Sequence, residues 1–149
     1  MLEVRGPAQA TYSYGAPASE ATSTLNPASD DDVVVNTPTD YGNSYPVGQC
    51  TWGVKELAPW ASNWWGNANT WAIYASAQGY RVGNVPVVGA IAVWDGGEYG
   101  HVAYVTDVQS ENSIQVLEAN YKRQKQIANY RGYFNPHEFL GKVTYIYPN

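Results

Sequence analysis

Apolar positions fall into two regimes along the chain, and the boundary between them marks where a folded part is expected. Residues 1–44 show no sustained period: Ala, Ser, Thr, Pro, Asp and Asn dominate, and apolar residues cluster only at Val33-Val34-Val35. Such a stretch cannot bury enough surface to offset chain entropy, so a linker or tail is expected over 1–44 and one domain over 45–149. In the second part, Cys50, Val54, Leu57 and Ala58 recur at the spacing of one helix face until Pro59 ends the run. A Gly- and Asn-rich loop carrying Trp60, Trp64 and Trp65 follows. A second helix is predicted beyond it, with Asn67 or Asn69 as N-cap, Trp71, Tyr74, Ala75 and Gln78 along its turns, and Gly79 as its stop. The period then changes to two. Strands are predicted over 80–82, 90–94, 101–108, 113–120, 127–132 and 142–147, with breakers between most of them. Helices first and strands afterwards indicate an α+β class with an antiparallel sheet.

Charge divides at the same boundary. Glu3, Glu20, Asp30, Asp31, Asp32 and Asp40 oppose the single Arg5 in residues 1–44, which accounts for the whole formal net charge of −5. The predicted domain carries seven acids and seven bases, so neither a polycation for nucleic acid nor a basic membrane face is present. Lys122-Arg123-Lys125 reads as a solvated loop. No apolar run approaches a membrane span, and Gly6 and Pro7 interrupt any hydrophobic segment near Met1. No membrane insertion and no signal peptide are therefore expected, and the chain reads as a mature, monomeric fragment. A single cysteine excludes an internal disulfide framework.

That cysteine is the candidate nucleophile. Pro46 and Gly48 break regular structure just before it, which places Cys50 in the first turn of its helix. Unpaired N–H groups and the positive end of the helix dipole there favour thiolate, the reactive form. A lone cysteine is also commonly a small buried hydrophobe, so the reading needs a base. Only His101 and His137 are available. His137 stands between Pro136 and Leu140-Gly141, where a surface histidine beside a turn is the ordinary expectation. His101 follows a loop with three glycines and opens an alternating run, so its ring would sit at a strand mouth. On the next predicted strand Ile114, Val116, Glu118 and Asn120 share a face. Pairing the two strands about the polar turn at 109–112 would bring Glu118 and Asn120 beside His101. Two histidines 36 positions apart without His-Glu-x-x-His spacing make a poor zinc site, and no cofactor is expected.

Gly48-Gln49-Cys50-Thr51-Trp52, Pro86-Val87-Val88-Gly89-Ala90-Ile91-Ala92-Val93-Trp94, Tyr99-Gly100-His101-Val102-Ala103 and Glu118-Ala119-Asn120-Tyr121 follow one another over about 75 residues. In these pieces the chain resembles the CHAP domain, the cysteine- and histidine-dependent amidohydrolase/peptidase of bacterial cell-wall hydrolases. Two longer strings, around Trp60 to Asn67 and Asn129 to Pro136, are similar to secreted streptococcal members that act in cell separation. The resemblance implies a papain-like fold, with N-terminal helices packed on an antiparallel sheet, and peptidoglycan as substrate in an extracellular setting. It implies Cys50 as nucleophile, His101 as base, Glu118 as its orienting partner, Asn120 as an auxiliary polar group, and Gln49 beside the oxyanion. The acidic cluster that calcium-binding members carry before the cysteine is reduced here to Asp40.

Six tryptophans remain to be placed. Large rings in a small domain mostly form core, which is the expectation for Trp52, Trp71 and Trp94. Three indoles in one breaker-rich loop are hard to bury together, so Trp60, Trp64 and Trp65 are expected to contact substrate. The same loop supports an alternative, a catalytically idle wall-binding module.

Overall fold

A β-turn delivers the chain into the first of the described helices. In the computed structural model, which describes residues 42–149, Gln49 N–H donates to Pro46 O at 3.1 Å. Gly48, third in that turn, has φ +91°, a left-handed value that a Cβ would strain. Helix α1, Cys50–Leu57, begins at the next residue but one. Its inward face carries Val54 and, just past its end, Ala58, both without solvent exposure. Lys55, buried near the C-terminal end, donates from Nζ to Pro59 O at 2.8 Å and to Ala61 O, so the turn that follows is held by a cation on carbonyls. Gly53 allows close approach to the sheet: a Cβ there would fall 2.9 Å from Ala119 Cβ.

Helix α2, Trp71–Ala77, follows a 3₁₀ turn at Ala68–Thr70 and stops before Gly79, whose φ is +96°. Five strands succeed it: β1 Val82–Gly83, β2 Ile91–Trp94, β3 His101–Ser110, β4 Ser113–Leu117 and β5 Val143–Ile146. They form one antiparallel sheet in the order β1-β5-β2-β3-β4. The α+β class with helices preceding an antiparallel sheet is therefore what the chain adopts.

Both faces of the sheet centre are covered, and β2 is buried along its whole length. On one side Ile91, Val93, Val102 and Ile146 meet Val54, Ala58, Trp65, Trp71 and Ala75 of the helices and the tryptophan loop. On the other, Ala92, Trp94, Ala103, Val105, Ile114, Val116 and Tyr145 pack together, with Phe134, Phe139 and Leu140 against them. β2 and β3 pair with Trp94 opposite His101. The loop joining them is pinned at Gly100, where a Cβ would stand 2.6 Å from both Asn69 N and Trp94 O. The first residue of β3 is thereby fixed against its neighbours.

Several expectations need correction. Trp65 is a core residue with 0% exposure: it stacks edge-on against Trp71 and Tyr80, each at 5.4 Å, and its Nε1 donates to Gln78 Oε1 at 2.9 Å. Trp60 is half-buried and stacked on Tyr80 at 5.6 Å, which leaves Trp64, 58% exposed, as the open indole of the loop. Trp52 is half-buried and stands outside both core clusters. The predicted strand over 127–132 is reduced to one bridge, Glu118 with Ala128. Tail positions 1–41, including Val33-Val34-Val35 and Asp40, lie outside the described residues. The described end of the expected tail bonds to the domain: Asn43 Nδ2 donates to Trp52 O and Ser44 N to Asn63 Oδ1, both at 2.9 Å.

The burial difference between adjacent indoles sets an outcome. Trp65→Ala should cost about 3 to 5 kcal/mol of stability, the ordinary loss for truncating a large core ring, whereas Trp64→Ala should change it by less than about 0.5 kcal/mol. Urea unfolding of both variants checks this.

Candidate active site

Three elements bring one polar chain together. Cys50 is the first residue of α1 and half-buried. Gln49 is the N-cap, but its side chain makes no capping bond, so the first-turn N–H groups keep their electrostatic pull on whatever lies in front of them. His101 opens β3 and is 6% exposed, and Glu118, just past β4, is 0% exposed. Opposite Tyr104 stands Leu117, so the hairpin predicted from the sequence forms and places Glu118 near the mouth of β3.

His101 Nε2 lies 2.9 Å from Glu118 Oε1. An ionised carboxylate only accepts, so Nε2 carries the proton in this pair. Cys50 also stands close enough to His101 to act on its protonation. With Nε2 taken by Glu118, Nδ1 is the nitrogen left for the thiol. Burial by itself lowers the His101 pKa, but the hydrogen bonds and charges of Cys50 and Glu118 outweigh it and hold the group above its ordinary 6.5. Glu118 shows the mirror case. Burial by itself raises its pKa, and hydrogen bonds from His101 and Arg131 with their charges bring it below the ordinary 4.5. The ring is held by packing as well, at 5.8 Å from Trp94 and edge-on to Phe139 at 5.5 Å.

Arg131 is a site residue that sequence reasoning passed over. Its Nε donates to Glu118 Oε2 at 2.9 Å and its Nη2 to Glu118 Oε1 at 2.6 Å. Only tertiary structure brings it there, since it sits in an irregular segment 13 residues after Glu118. One sequence signal existed: a carboxylate on an otherwise apolar strand face calls for a cation.

Asn120 is placed differently from Glu118. Its φ of +57° breaks the strand alternation, and its Nδ2 donates to Gln49 Oε1 at 3.1 Å while its Oδ1 accepts from Lys125 Nζ at 2.9 Å. Asn120 thus acts on the Gln49 amide. With Gln49 Oε1 engaged, its NH₂ group is the half free to donate beside Cys50. Lys125, expected as part of a solvated loop, is exposed but tied into this chain. His137 is exposed on the 3₁₀ turn Pro136–Glu138, where its backbone N–H donates to Asn135 Oδ1 at 2.9 Å. Among the described residues no group of three or more His, Cys, Asp or Glu side chains is arranged to hold a metal ion.

Known proteins resemble this chain in sequence and in fold. The family model described as CHAP domain matches residues 40–120. A Streptococcus mutans protein that carries the name hydrolase is 61% identical over 109 residues, covering 72% of this chain and 52% of that protein. The secretory antigen SsaA of Staphylococcus epidermidis is 42% identical over 113 residues, covering 75% of this chain and 44% of that protein. A solved N-acetylmuramoyl-L-alanine amidase from Staphylococcus aureus superposes with a TM-score of 0.61 at 30% identity, over 74% of this chain and 34% of that one. The chain spans about half the length of the curated relatives it matches.

Protonation of the pair should be visible in stability. The raised His101 contributes stability that is whole below its ordinary 6.5 and is lost as pH rises through the folded value. The lowered Glu118 contributes stability that is whole above its ordinary 4.5 and is lost as pH falls through the folded value. Both contributions are complete between 4.5 and 6.5. The stability difference between wild type and His101→Phe, from urea unfolding, should therefore be largest in that window and shrink at higher pH. A difference constant from about pH 5 to about pH 9 would show that the ring gains nothing from its partners.

Proposed function

This chain belongs to the CHAP domain family, and from that membership we propose that it hydrolyses an amide bond of peptidoglycan with Cys50 as nucleophile. The observation that carries the reading is the convergence of Cys50, His101 and Glu118, with the buried His101–Glu118 pair at 2.9 Å, in which nucleophile, base and orienting carboxylate come from a helix start, a strand start and a strand end. Cys50 Sγ attacks the carbonyl carbon as His101 Nδ1 takes the thiol proton. The tetrahedral oxyanion would be met by the Cys50 N–H and the Gln49 side-chain NH₂, an effect of about 3 to 4 kcal/mol per donor in comparable sites. The imidazolium then protonates the leaving amine. Water, deprotonated by the same nitrogen, cleaves the thioester and regenerates the thiol.

Within that class we favour the bond between the lactyl group of muramic acid and L-alanine, because the solved structural neighbour is an N-acetylmuramoyl-L-alanine amidase. The setting we propose is extracellular, at the cell wall, in cell separation; the name of the staphylococcal relative, a secretory antigen, is in keeping with the extracellular part. An idle wall-binding module loses its main support, since Trp65 is core and Trp60 is stacked on Tyr80. Trp64 alone is a narrow platform for a polymer.

Digestion of purified sacculi followed by mass spectrometry tests the reading. Wild type should release peptides from glycan that retains free lactyl groups; a new amino terminus within the stem peptide would instead mark an endopeptidase. Cys50→Ala should be inactive while melting like wild type, and activity surviving in that folded variant would overturn the proposal. His101→Ala should lose about 10²- to 10⁴-fold or more, the usual contribution of a general acid–base group, and Glu118→Ala less. His137→Ala should stay within about twofold of wild type, as expected for an exposed turn residue.

A further inference from the structure

Arg131 is 7% exposed at its side chain and faces a carboxylate that is 0% exposed. Its guanidinium is sandwiched among rings, with Cζ 4.0 Å from the centre of Phe139, 4.2 Å from Phe134 and from Tyr121, and 5.5 Å from Trp94. Two of those rings, Trp94 and Phe139, also pack against the His101 imidazole. One aromatic wall therefore holds both partners of Glu118. Buried ion pairs of this kind roughly cancel their own desolvation, so stability alone gives little reason for the arrangement. Its geometry gives a better one: a planar fork grips both oxygens, which a lysine cannot do.

We propose that Arg131 is a positioning residue of this site, acting through Glu118: its two-point grip fixes the carboxylate so that Oε1 stays presented to His101 Nε2 as an acceptor. Without the fork, Glu118 would be free to rotate away, or to take up a proton and turn its acceptor into a donor. Either change releases the imidazole from the orientation that leaves Nδ1 for Cys50. The charged groups that face Glu118 are His101 and Arg131, and those that face His101 are Cys50 and Glu118, so the relay has one cation at its far end.

The inference rests on the cysteine-hydrolase reading, so one readout must need no wall substrate. That readout is the rate of Cys50 alkylation by iodoacetamide across pH; the second is the initial rate of sacculus clearing across the same range. In Arg131→Met the acid limb of both profiles should move up by about one pH unit or more, the usual size of losing a cation beside a carboxylate. Arg131→Lys, which keeps a cation without the fork, should hold the limb within about half a unit of wild type but lower the clearing plateau several-fold. In a Glu118→Gln background, Arg131→Met should add less than about twofold, because residues acting through one partner are not additive. Both limbs unmoved in Arg131→Met, or a full additive loss in the Glu118→Gln background, would overturn the proposal and leave Arg131 a packing residue. If Arg131→Met does not fold, the lysine variant decides: a wild-type plateau overturns the proposal and a lowered one supports it. Wild type that clears no sacculi while its alkylation limb still moves with Arg131 would refute the substrate instead.

Discussion

A carboxylate with no solvent exposure must have its charge answered inside the protein, and in this domain Glu118 is that carboxylate. Its oxygens are shared between an imidazole on one side and a guanidinium on the other. Removing either partner would leave a buried charge half-paired, which costs far more than an exposed ion pair ever returns. The site and the second core are therefore one structure. Trp94, Phe134 and Phe139 build that core on the face of the sheet away from the helices, and they also enclose Arg131. Packing errors there would reach His101, whose ring lies against Trp94 and Phe139.

Cys50, the proposed nucleophile, is held by the opposite strategy, with backbone rather than side chains. The turn at Pro46 to Gln49 uses the left-handed Gly48 to start α1 at Cys50, and Gly53 lets the helix approach Ala119, the residue after Glu118. Close helix-to-sheet approach at that point brings α1 against the strand end that carries Glu118. A glycine in mid-helix costs about 1 kcal/mol in propensity relative to alanine. Here that loss is accepted because any larger residue would lift the helix off the strand end.

How much of this was readable in advance follows from the range of the interactions. Cys50 at a helix start, His101 at a strand mouth and Glu118 across a hairpin were legible because each depends on local periodicity, and β3 and β4 do pair as a hairpin, with register shifts between Val105 and Asp107 and between Val108 and Ser110 that alternation did not foresee. Trp65 was not, because its loop is locally indistinguishable from an exposed one; residues distant in sequence, among them Trp71, Tyr80 and Gln78 from α2 and beyond, bury it. Arg131 was hidden for the same reason. It has no period to read, and its partner lies on another segment. Asn120 shows a third case, where alternation held up to Glu118 and then a positive φ turned the amide toward Gln49.

That turn separates two tasks that alternation alone would have merged. Glu118 and Asn120 are two residues apart, yet the first holds the His101 ring and the second holds the N-cap amide of Gln49. Had the strand continued, both side chains would have pointed at the imidazole, and Gln49 would have lacked a partner for its oxygen. An amide that rotates freely offers its carbonyl to an oxyanion as readily as its NH₂, and the wrong choice repels the charge that forms. Asn120, itself tied by Lys125, fixes that choice from outside the core. The proposed base is thus oriented from a buried pair and the proposed oxyanion donor from an exposed one. Water and salt reach the second far more easily than the first.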